Sequence, residues 1–317
     1  MTEITGQAVL QERDELLRFV LGQGQLRGVA VSLDQSWQDA CANHAYPPAI
    51  TELLGECVAA ALCMVATLKF DGRLILQFRG EGPVSLLVVQ ARSDLSFRVT
   101  AQWRDSLQGA LLDQPLSVLL GQGQLALTLE SRDGVRYQSL VSAEGAQIAE
   151  ALEGYFSQSE QLPTRLVLAA DPQRAVGILL QQVPGEGGTP AARAQAAEWE
   201  FDHASALMQT LTGEAGHQEL CTTPVPVLLH RLFHQEALRL TQINPVRFHC
   251  GCSREGVGAM LRSLGAEELD QALADSEVPG YVAVHCEFCG TDYRFDAVDV
   301  AQLLRDDSVK PPDATRH

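Results

Sequence analysis

Apolar residues recur at helical spacing in two stretches near the N-terminus. The first stretch covers residues 7–21, and its apolar positions are Val9, Leu10, Leu16, Leu17, Val20 and Leu21. This spacing predicts an amphipathic helix. The second stretch covers residues 48–68 and begins with Pro48, a residue suited to the first turn of a helix. We expect the second helix to bury Cys57 and Cys63 on its apolar side.

Between residues 72 and 183 the main pattern is an alternation of apolar and polar positions, which predicts β-strands. The strand-like runs are RLILQF, LSFRVTAQW, LALTLESRDGVRY, RLVLAA and AVGILLQQV. Asp133 and Gly134 predict a hairpin turn, and GAQIAEALEGYF predicts a further helix. These elements indicate the α+β fold class, with a mixed antiparallel sheet-and-helix domain over residues 1–183.

Proline and glycine are concentrated in the segment PGEGGTPAARAQ, and this composition marks the end of the first domain. Residues 184–243 then show two helical patterns, one rich in alanine and glutamate and a second, PVLLHRLFHQEALRL, that is far more apolar. We interpret them as a helical linker whose stability depends on what it packs against. The remaining residues, 244–317, are predicted to form a small C-terminal module.

Charge and composition restrict the class of protein. The formal net charge of -17 and the isoelectric point near 4.8 disfavour a nucleic-acid partner, because phosphate would be repelled. The N-terminus does not show the pattern of a signal peptide. The longest uncharged apolar run, CVAAALCMVA, is about half of the roughly 20 residues that a bilayer span requires. We therefore expect a cytoplasmic protein without a membrane partner, in which clustered cysteines are metal ligands or redox thiols.

Four of the eight cysteines lie in one C-terminal stretch. They form a C-x-C pair, Cys250 and Cys252, and a C-x-x-C pair, Cys286 and Cys289, separated by thirty-three residues. Each short pair fits on one tight turn, and four thiolates supply the tetrahedral sulfur ligands that zinc accepts. We predict that these cysteines bind one Zn2+ per chain in the reduced state. A module this small is expected to depend on the metal for its fold.

Three functions are compatible with this cysteine pattern. In the first, the zinc site only stabilises the fold of a binding module. In the second, the C-x-x-C pair is the active site of a thiol-disulfide oxidoreductase. In the third, the zinc site is a redox switch. A disulfide between Cys250 and Cys252 would close a small strained ring, and strained disulfides are labile, which favours the switch. A zinc protease is disfavoured, because the segment HRLFH from His230 to His234 has Arg231 where H-E-x-x-H has its glutamate.

Several segments, taken together, resemble the heat shock protein 33 family, the redox-regulated holdase chaperones. The segments are FHCGCSRE, VHCEFCGTDYRF, HAYPPAITELLGE, LKFDGRLILQFRGEGPVSLLVV, YFSQSEQLPT and LLHRLFHQE. They are distributed over nearly the whole chain and follow the order of that family's segments. The resemblance implies a chaperone and not an enzyme, which protects unfolding client proteins from aggregation under oxidative stress without using ATP.

The resemblance also implies how the chaperone is regulated. It is inactive while zinc is bound to the four cysteines. Oxidation pairs Cys250 with Cys252 and Cys286 with Cys289, releases zinc, destabilises the linker and yields an active homodimer. One departure from the family is Gly256 after CSRE, where the family commonly has arginine. The absence of that cation beside four thiolates is expected to change the zinc affinity or the rate of oxidation.

The linker supplies the candidate client-binding residues. They are Trp199, Phe201, Leu228, Leu229, Leu232 and Phe233. In the reduced protein we expect these side chains to make ordinary helix-packing contacts. After the linker unfolds, they would be exposed to apolar segments of client proteins.

Overall fold

The computed structural model describes residues 14–22, 25–68, 70–104, 116–121, 123–142, 147–183, 190–276 and 280–305. Its elements are helices and mainly antiparallel strands, which agrees with the predicted α+β class. The chain divides into two compact units, one that ends at His249 and one that begins at Cys250. We refer to them as the N-terminal unit and the cysteine unit.

The strands form three sheets within the described residues. Their bounds are β1 Glu15–Leu21, β2 Leu26–Leu33, β3 Gly72–Gly80, β4 Val84–Arg92, β5 Ser96–Trp103, β6 Gly123–Ser131, β7 Arg136–Ser142, β8 Thr164–Ala170, β9 Ala175–Gln182, β10 Arg239–Pro245, β11 Arg247–Phe248, β12 Tyr281–His285 and β13 Asp292–Asp296. Sheet A has the strand order β10-β1-β2-β9-β8, sheet B has the order β11-β5-β4-β3-β6-β7, and sheet C pairs β12 with β13. All neighbours are antiparallel except β11 and β5.

The helices connect and cover these sheets. Their bounds are α1 Gln35–Cys41, α2 Pro48–Thr67, α3 Leu116–Leu120, α4 Ile148–Tyr155, α5 Pro190–Gln209, α6 Gly213–Thr222, α7 Val225–Phe233, α8 Arg254–Leu264, α9 Ala266–Asp275 and α10 Ala297–Arg305. A π-helical turn, Phe156–Glu160, follows α4. We call α5, α6 and α7 the linker helices.

Helix α2 lies between sheets A and B and forms the centre of the main core. Pro48 begins the helix, and Leu54, Cys57 and Cys63 are buried in it. These observations confirm the predicted helix and the predicted burial of both cysteines. Among the described helices, α2 alone has the length and apolar composition to cross a membrane, and it is almost entirely buried inside the protein, as a core helix is.

The linker helices cover the opposite face of sheet A and build a second apolar core with it. Leu17 and Phe19 of β1 are buried there against Leu228, Leu229 and Phe233 of α7. The rings of Phe19 and Phe233 lie 6.0 Å apart. Sheet A is therefore covered on both faces, by α2 on one side and by the linker helices on the other.

The predicted helix over residues 7–21 is wrong where the structure describes it, because residues 15–21 form strand β1. Leu16 belongs to the main core around α2, and Leu17 belongs to the second core. Apolar residues therefore occupy both faces of the strand. A strand that is buried on both faces loses the apolar-polar alternation, so its spacing was taken for that of a helix. Residues 7–13 lie outside the described residues.

The linker is helical as far as Phe233, but the helical prediction fails near its end, because residues 239–245 form strand β10. Strands β10 and β11 pair with β1 and β5, which places residues up to His249 in the N-terminal unit. Residues 184–189 of the predicted linker lie outside the described residues. The division into residues 1–183, 184–243 and 244–317 stays a prediction.

The predictions between residues 72 and 183 agree with the structure. The predicted strand runs correspond to β3, β5, β6 with β7, β8 and β9, and the predicted helix is α4. Gly134 adopts a φ of +87° at the turn between β6 and β7, a backbone conformation that glycine adopts readily. Strand β4 was not among the predicted runs.

The cysteine unit has a much smaller apolar core. Its buried apolar residues are Leu261, Leu269, Val282, Phe295 and Val300. At the start of α10, Asp296 and Asp299 each accept the other's backbone N–H, at 2.7 and 3.1 Å, which caps the helix. The guanidinium of Arg254 lies 4.3 Å from the centre of the Phe295 ring and pairs with Asp299 at 2.7 Å. Polar contacts thus supplement a core of few residues.

Candidate metal centre

The first cysteine pair immediately precedes helix α8. Ser253, the residue after Cys252, caps this helix by accepting the Gly256 N–H at 3.1 Å. A Cβ at Gly256 would contact only the Ser253 hydroxyl oxygen, at 3.4 Å. The position therefore has room for a larger side chain, so the departure from the family pattern is not forced by packing.

The second cysteine pair lies on the turn between β12 and β13. The N–H groups of Cys289 and Gly290 donate to the carbonyl oxygen of Cys286 at 3.3 and 2.8 Å, and the Cys286 N–H donates to the carbonyl of Thr291 at 2.9 Å. Gly290 has a φ of +68°, which favours glycine. This hydrogen-bonded turn keeps the two thiols close together.

The fold brings all four predicted ligands together. Their sulfur atoms lie within 4.8 Å of one another, with Cys250 Sγ 3.7 Å from Cys286 Sγ and Cys252 Sγ 3.3 Å from Cys289 Sγ. A tetrahedral zinc with Zn–S bonds of about 2.3 Å would separate neighbouring sulfurs by about 3.8 Å. The donor set therefore fits a four-coordinate soft metal ion. A disulfide would need about 2.05 Å between sulfurs, and all four cysteines are free thiols here.

Two hydroxyl groups contact the sulfurs, and the sequence analysis missed both. The Tyr293 hydroxyl donates to Cys252 Sγ at 3.1 Å, and the Thr291 hydroxyl lies 3.2 Å from Cys289 Sγ. Hydrogen bonds of this kind orient metal ligands and tune the metal. The sequence feature that could have predicted these contacts is the strand after the C-x-x-C turn. Thr291 and Tyr293 are two residues apart there and so lie on one face.

The thiols of the cluster differ in acidity. Burial raises the pKa of Cys250 to about 12, and it also raises the pKa of Cys252. Burial acts in the same direction on Cys289, but hydrogen bonds from the side chain and backbone of Thr291 outweigh it and lower the pKa of Cys289 to about 7. A thiol of that acidity is partly ionised at neutral pH, and the thiolate is the form that binds metal.

The four cysteines outside the cluster all have raised pKa values, and none of them has a counterpart to the acidic thiol of Cys289. Burial raises the pKa of Cys41 and of Cys221 to about 12, and it raises the pKa of Cys57 and Cys63 further still. These thiols remain protonated at neutral pH, and thiols without thiolate character react slowly with oxidants and metals. Their environment supports the reading that they are structural.

The linker residues named from the sequence occupy two kinds of environment. Leu228, Leu229 and Phe233 are buried in the second core, and Phe201 and Leu232 are partly buried against it. This is the ordinary helix packing expected of the reduced protein. Trp199 differs, because 66% of it is exposed and its ring is stacked on His203 at 5.4 Å. A role of these six residues in client binding stays a prediction.

The alternative metal motif is not assembled into a site. His230 and His234 are both exposed, with ring centres 6.5 Å apart, and His234 Nδ1 lies 3.1 Å from the Arg231 carbonyl oxygen. Within the part of the chain that the structure describes, the cysteine cluster is the group of potential ligands close enough to hold a metal ion. The rejection of a zinc protease is therefore consistent with the geometry.

The fold and the site define a class: an α+β protein in two units, the smaller of which carries a cluster of four cysteines that could hold a metal ion. The family model for Hsp33 protein matches residues 14–296. The 33 kDa chaperonin of Ectopseudomonas mendocina (strain ymp) is 43% identical over 300 residues, which cover 95% of this chain and 98% of the relative. The chain therefore belongs to the Hsp33 family, and the resemblance inferred from its segments is confirmed.

One further relative and one solved structure are similar to this chain. The 33 kDa chaperonin of Nitrosococcus oceani is 41% identical over 308 residues, which cover 97% of this chain and 100% of the relative. The crystal structure of the 33 kDa chaperonin from Thermotoga maritima aligns with a TM-score of 0.76 at 20% identity, covering 92% of this chain and 98% of that one. The structural likeness concerns the fold alone.

Proposed function

We propose that this chain is a redox-regulated holdase chaperone that works without ATP. In the reduced state Cys250, Cys252, Cys286 and Cys289 hold one Zn2+, the linker helices stay packed, and the chaperone is inactive. The observation that carries the proposal is the convergence of four free thiols within 4.8 Å of one another. Zinc bound there would keep the cysteines as thiolates and supply folding free energy to a unit with a small core.

Oxidation of the cluster is the proposed activating event. A disulfide forms between Cys250 and Cys252 and another between Cys286 and Cys289. Formation of each disulfide transfers two electrons from two thiolates to an oxidant such as a hydroperoxide, and one equivalent of hydrogen peroxide takes up two protons from solvent and is reduced to two waters. The sulfurs lose their negative charge and with it their affinity for the metal. A cytoplasmic location fits this proposal, because the cytoplasm is a reducing compartment that keeps the four cysteines free of disulfides until an oxidant appears.

The covalent chain connects this event to the linker. Strands β10 and β11 lie between the linker helices and Cys250, so unfolding of the cysteine unit would remove the folded segment that follows these two strands along the chain. Departure of α7 from sheet A would expose Leu228, Leu229 and Phe233 together with Leu17 and Phe19 of β1. Such apolar surface binds unfolded client proteins and favours a homodimer as the active form.

The test measures zinc, thiols and chaperone activity on one sample. The reduced, zinc-loaded protein is treated with hydrogen peroxide at mildly raised temperature and then added to a thermally unfolding client enzyme. We expect release of about one zinc per chain, loss of the four cluster thiols, and suppression of light scattering by the oxidised protein alone. Cys41→Ser, which changes a cysteine outside the cluster, should behave as the unaltered protein does.

The alternatives give different results. Equal suppression of aggregation by reduced and oxidised protein would refute the redox switch in favour of a passive zinc clip. Catalytic turnover of a small disulfide substrate, without stoichiometric protection of the client, would refute the holdase in favour of a thiol-disulfide oxidoreductase.

A further inference from the structure

The edge strand β10 buries few of its side chains in sheet A. Most of its side chains are exposed, and Leu240 and Asn244 are only partly buried. Ile243 lies opposite the fully buried Leu17 in the register, yet it remains 56% exposed. The apolar surface of β1 is therefore covered mainly by the helices and hardly at all by its neighbouring strand.

The backbone pairing of β10 with β1 is also irregular. Arg18 pairs with Gln242 and Phe19 pairs with Leu240, so Thr241 is an extra residue in the ladder. A bulge of this kind interrupts the hydrogen bonds between two strands. At the far end of the strand Pro245 pairs with Glu15, and proline has no N–H to donate.

Side-chain support for β10 comes largely from the elements that the proposed function releases. Leu238 and Leu240 pack against the second core, which the linker helices help to form. The Thr241 hydroxyl donates to the Arg18 carbonyl of β1 at 3.1 Å. When the linker helices unfold, β10 loses its apolar contacts on that face.

The segment after β10 is attached to a different sheet. Val246 is buried in the main core, and the ring of Phe248 lies 6.0 Å from that of Phe97. The His249 N–H donates to the Phe97 carbonyl at 2.9 Å. Separation of β10 from β1 would break the ladder and the hydrogen bonds that extend it, from the Gly22 N–H to the Glu236 carbonyl at 2.8 Å and from the Val246 N–H to the Asp14 carbonyl at 2.9 Å, while β11 stays paired with β5.

We infer that in the active chaperone β10 leaves β1, and that an extended segment of the client pairs with β1 in its place. The inference rests on the proposed function, since it requires the linker helices to unfold. The vacated edge would offer a row of backbone N–H and C=O groups beside the apolar side chains of Leu17, Phe19 and Leu21. Its natural partner is a strand of about seven residues with alternating apolar side chains and no proline.

Such a client segment would pair better than β10 does. Without an extra residue and without proline, it would complete the ladder along Glu15–Leu21. Its apolar side chains would cover Leu17 and Phe19 where β10 provides Leu240 and an exposed Ile243. Because main-chain groups supply the pairing, recognition would depend little on client sequence, as a general holdase requires.

A cross-strand disulfide that staples β10 to β1 tests the inference. Val20 and Arg239 are direct partners in the register, so the double variant Val20→Cys with Arg239→Cys is stapled in the zinc-loaded protein by oxidised glutathione and verified by mass spectrometry. The matched control staples another edge strand, β7, through Ala126→Cys with Leu140→Cys, a register pair in which Leu140 is 63% exposed. Both stapled proteins are then activated with peroxide.

We expect both stapled proteins to release zinc and lose their cluster thiols as the unaltered protein does. The β10 staple should raise the amount of chaperone needed for half-maximal protection by about fivefold or more, whereas the β7 staple should have no effect. Amide hydrogen exchange of residues 15–21 should accelerate on oxidation and slow again when client is added in the unaltered and β7-stapled proteins, but not in the β10-stapled protein.

Three outcomes would overturn the inference. Full protection by the β10-stapled protein would show that the edge of β1 is not used. Continued slow exchange of residues 15–21 in the oxidised, client-free protein would show that β10 stays in place. If the staple also abolishes dimer formation measured by light scattering, a second copy and not the client takes the edge. Failure of the unaltered protein to protect any client would instead refute the proposed function.

Discussion

The two units of this protein are stabilised in different ways. The N-terminal unit buries the 20-residue helix α2 between two sheets and adds a second core beneath the linker helices. Within its described residues, 250–276 and 280–305, the cysteine unit buries five apolar side chains. Burial of apolar surface can stabilise the first unit, but a core as small as the second needs a further constraint such as a metal. Loss of a metal should therefore destabilise the cysteine unit selectively.

Cysteine itself illustrates the same contrast. In the N-terminal unit Cys57 and Cys63 are buried core residues whose pKa values are raised by burial. In the cysteine unit the thiols are only partly buried and contact one another, and the pKa of Cys289 is lowered to about 7. The surroundings of a thiol, and not its presence, decide whether it acts as a core side chain or as a reactive ligand.

Removing the metal should have the largest effect. Chelation of zinc, or the substitution Cys286→Ser, is expected to unfold the cysteine unit, because structural zinc contributes on the order of 10 to 16 kcal/mol of binding free energy to such folds. The N-terminal sheets should stay folded. Amide exchange, read separately for residues 26–33 and 281–296, measures the two units in one experiment. Protected amides in β12 and β13 after complete metal removal would contradict the comparison.

Removing one hydroxyl from the site should have a smaller effect. Tyr293→Phe deletes the hydrogen bond to Cys252 Sγ at 3.1 Å. Loss of such an outer contact is expected to weaken zinc binding by about 10- to 100-fold, measured by competition with a chelating dye. Tyr281→Phe is the matched control in the same unit, because Tyr281 is 41% exposed. Equal zinc affinities for the two variants would exclude a role of the Tyr293 hydroxyl.

A third prediction concerns an acidic residue of the N-terminal unit. Burial, with a contribution from the neighbouring Glu52, raises the pKa of Glu56 to about 8. In the unfolded chain a glutamate ionises near pH 4.3. Between about pH 4.3 and 8 the unfolded state therefore binds fewer protons than the folded state, and the free energy of unfolding falls as pH rises. The contribution of Glu56 to the free energy of unfolding is therefore fully present below about pH 4.3 and is lost as the pH rises to about 8.

Glu56→Gln should remove this part of the pH dependence. The variant is expected to be more stable than the unaltered protein by up to about 5 kcal/mol at pH 8, and the difference should shrink toward pH 4. Urea unfolding of the N-terminal unit at several pH values measures it, with the exposed Glu214→Gln as the control. Parallel pH profiles for both variants would show that Glu56 does not titrate in this range.

Much of the fold followed from local patterns. Pro48 and the apolar spacing after it predicted α2, and the alternation from residue 72 onward predicted most of sheet B, because each pattern reflects burial on one side of a regular element. Strand β1 was wrongly predicted as a helix, because Leu16 and Leu17 face two different cores and the strand has no apolar-polar alternation. Strand β10 was not predicted, for the opposite reason. Its side chains are mostly exposed, so its apolar residues show no regular spacing.

The sequence by itself determined the chemistry of the site. Two short cysteine pairs on tight turns specify a four-sulfur site, because turn geometry and ligand identity are local properties. Only the tertiary structure decided what surrounds these sulfurs and what the linker helices cover. The Tyr293 hydroxyl contacts Cys252, which is forty-one residues away in the sequence, and α7 packs in the same core as β1, which is some two hundred residues away. Such pairings depend on how distant segments pack, which no local pattern encodes.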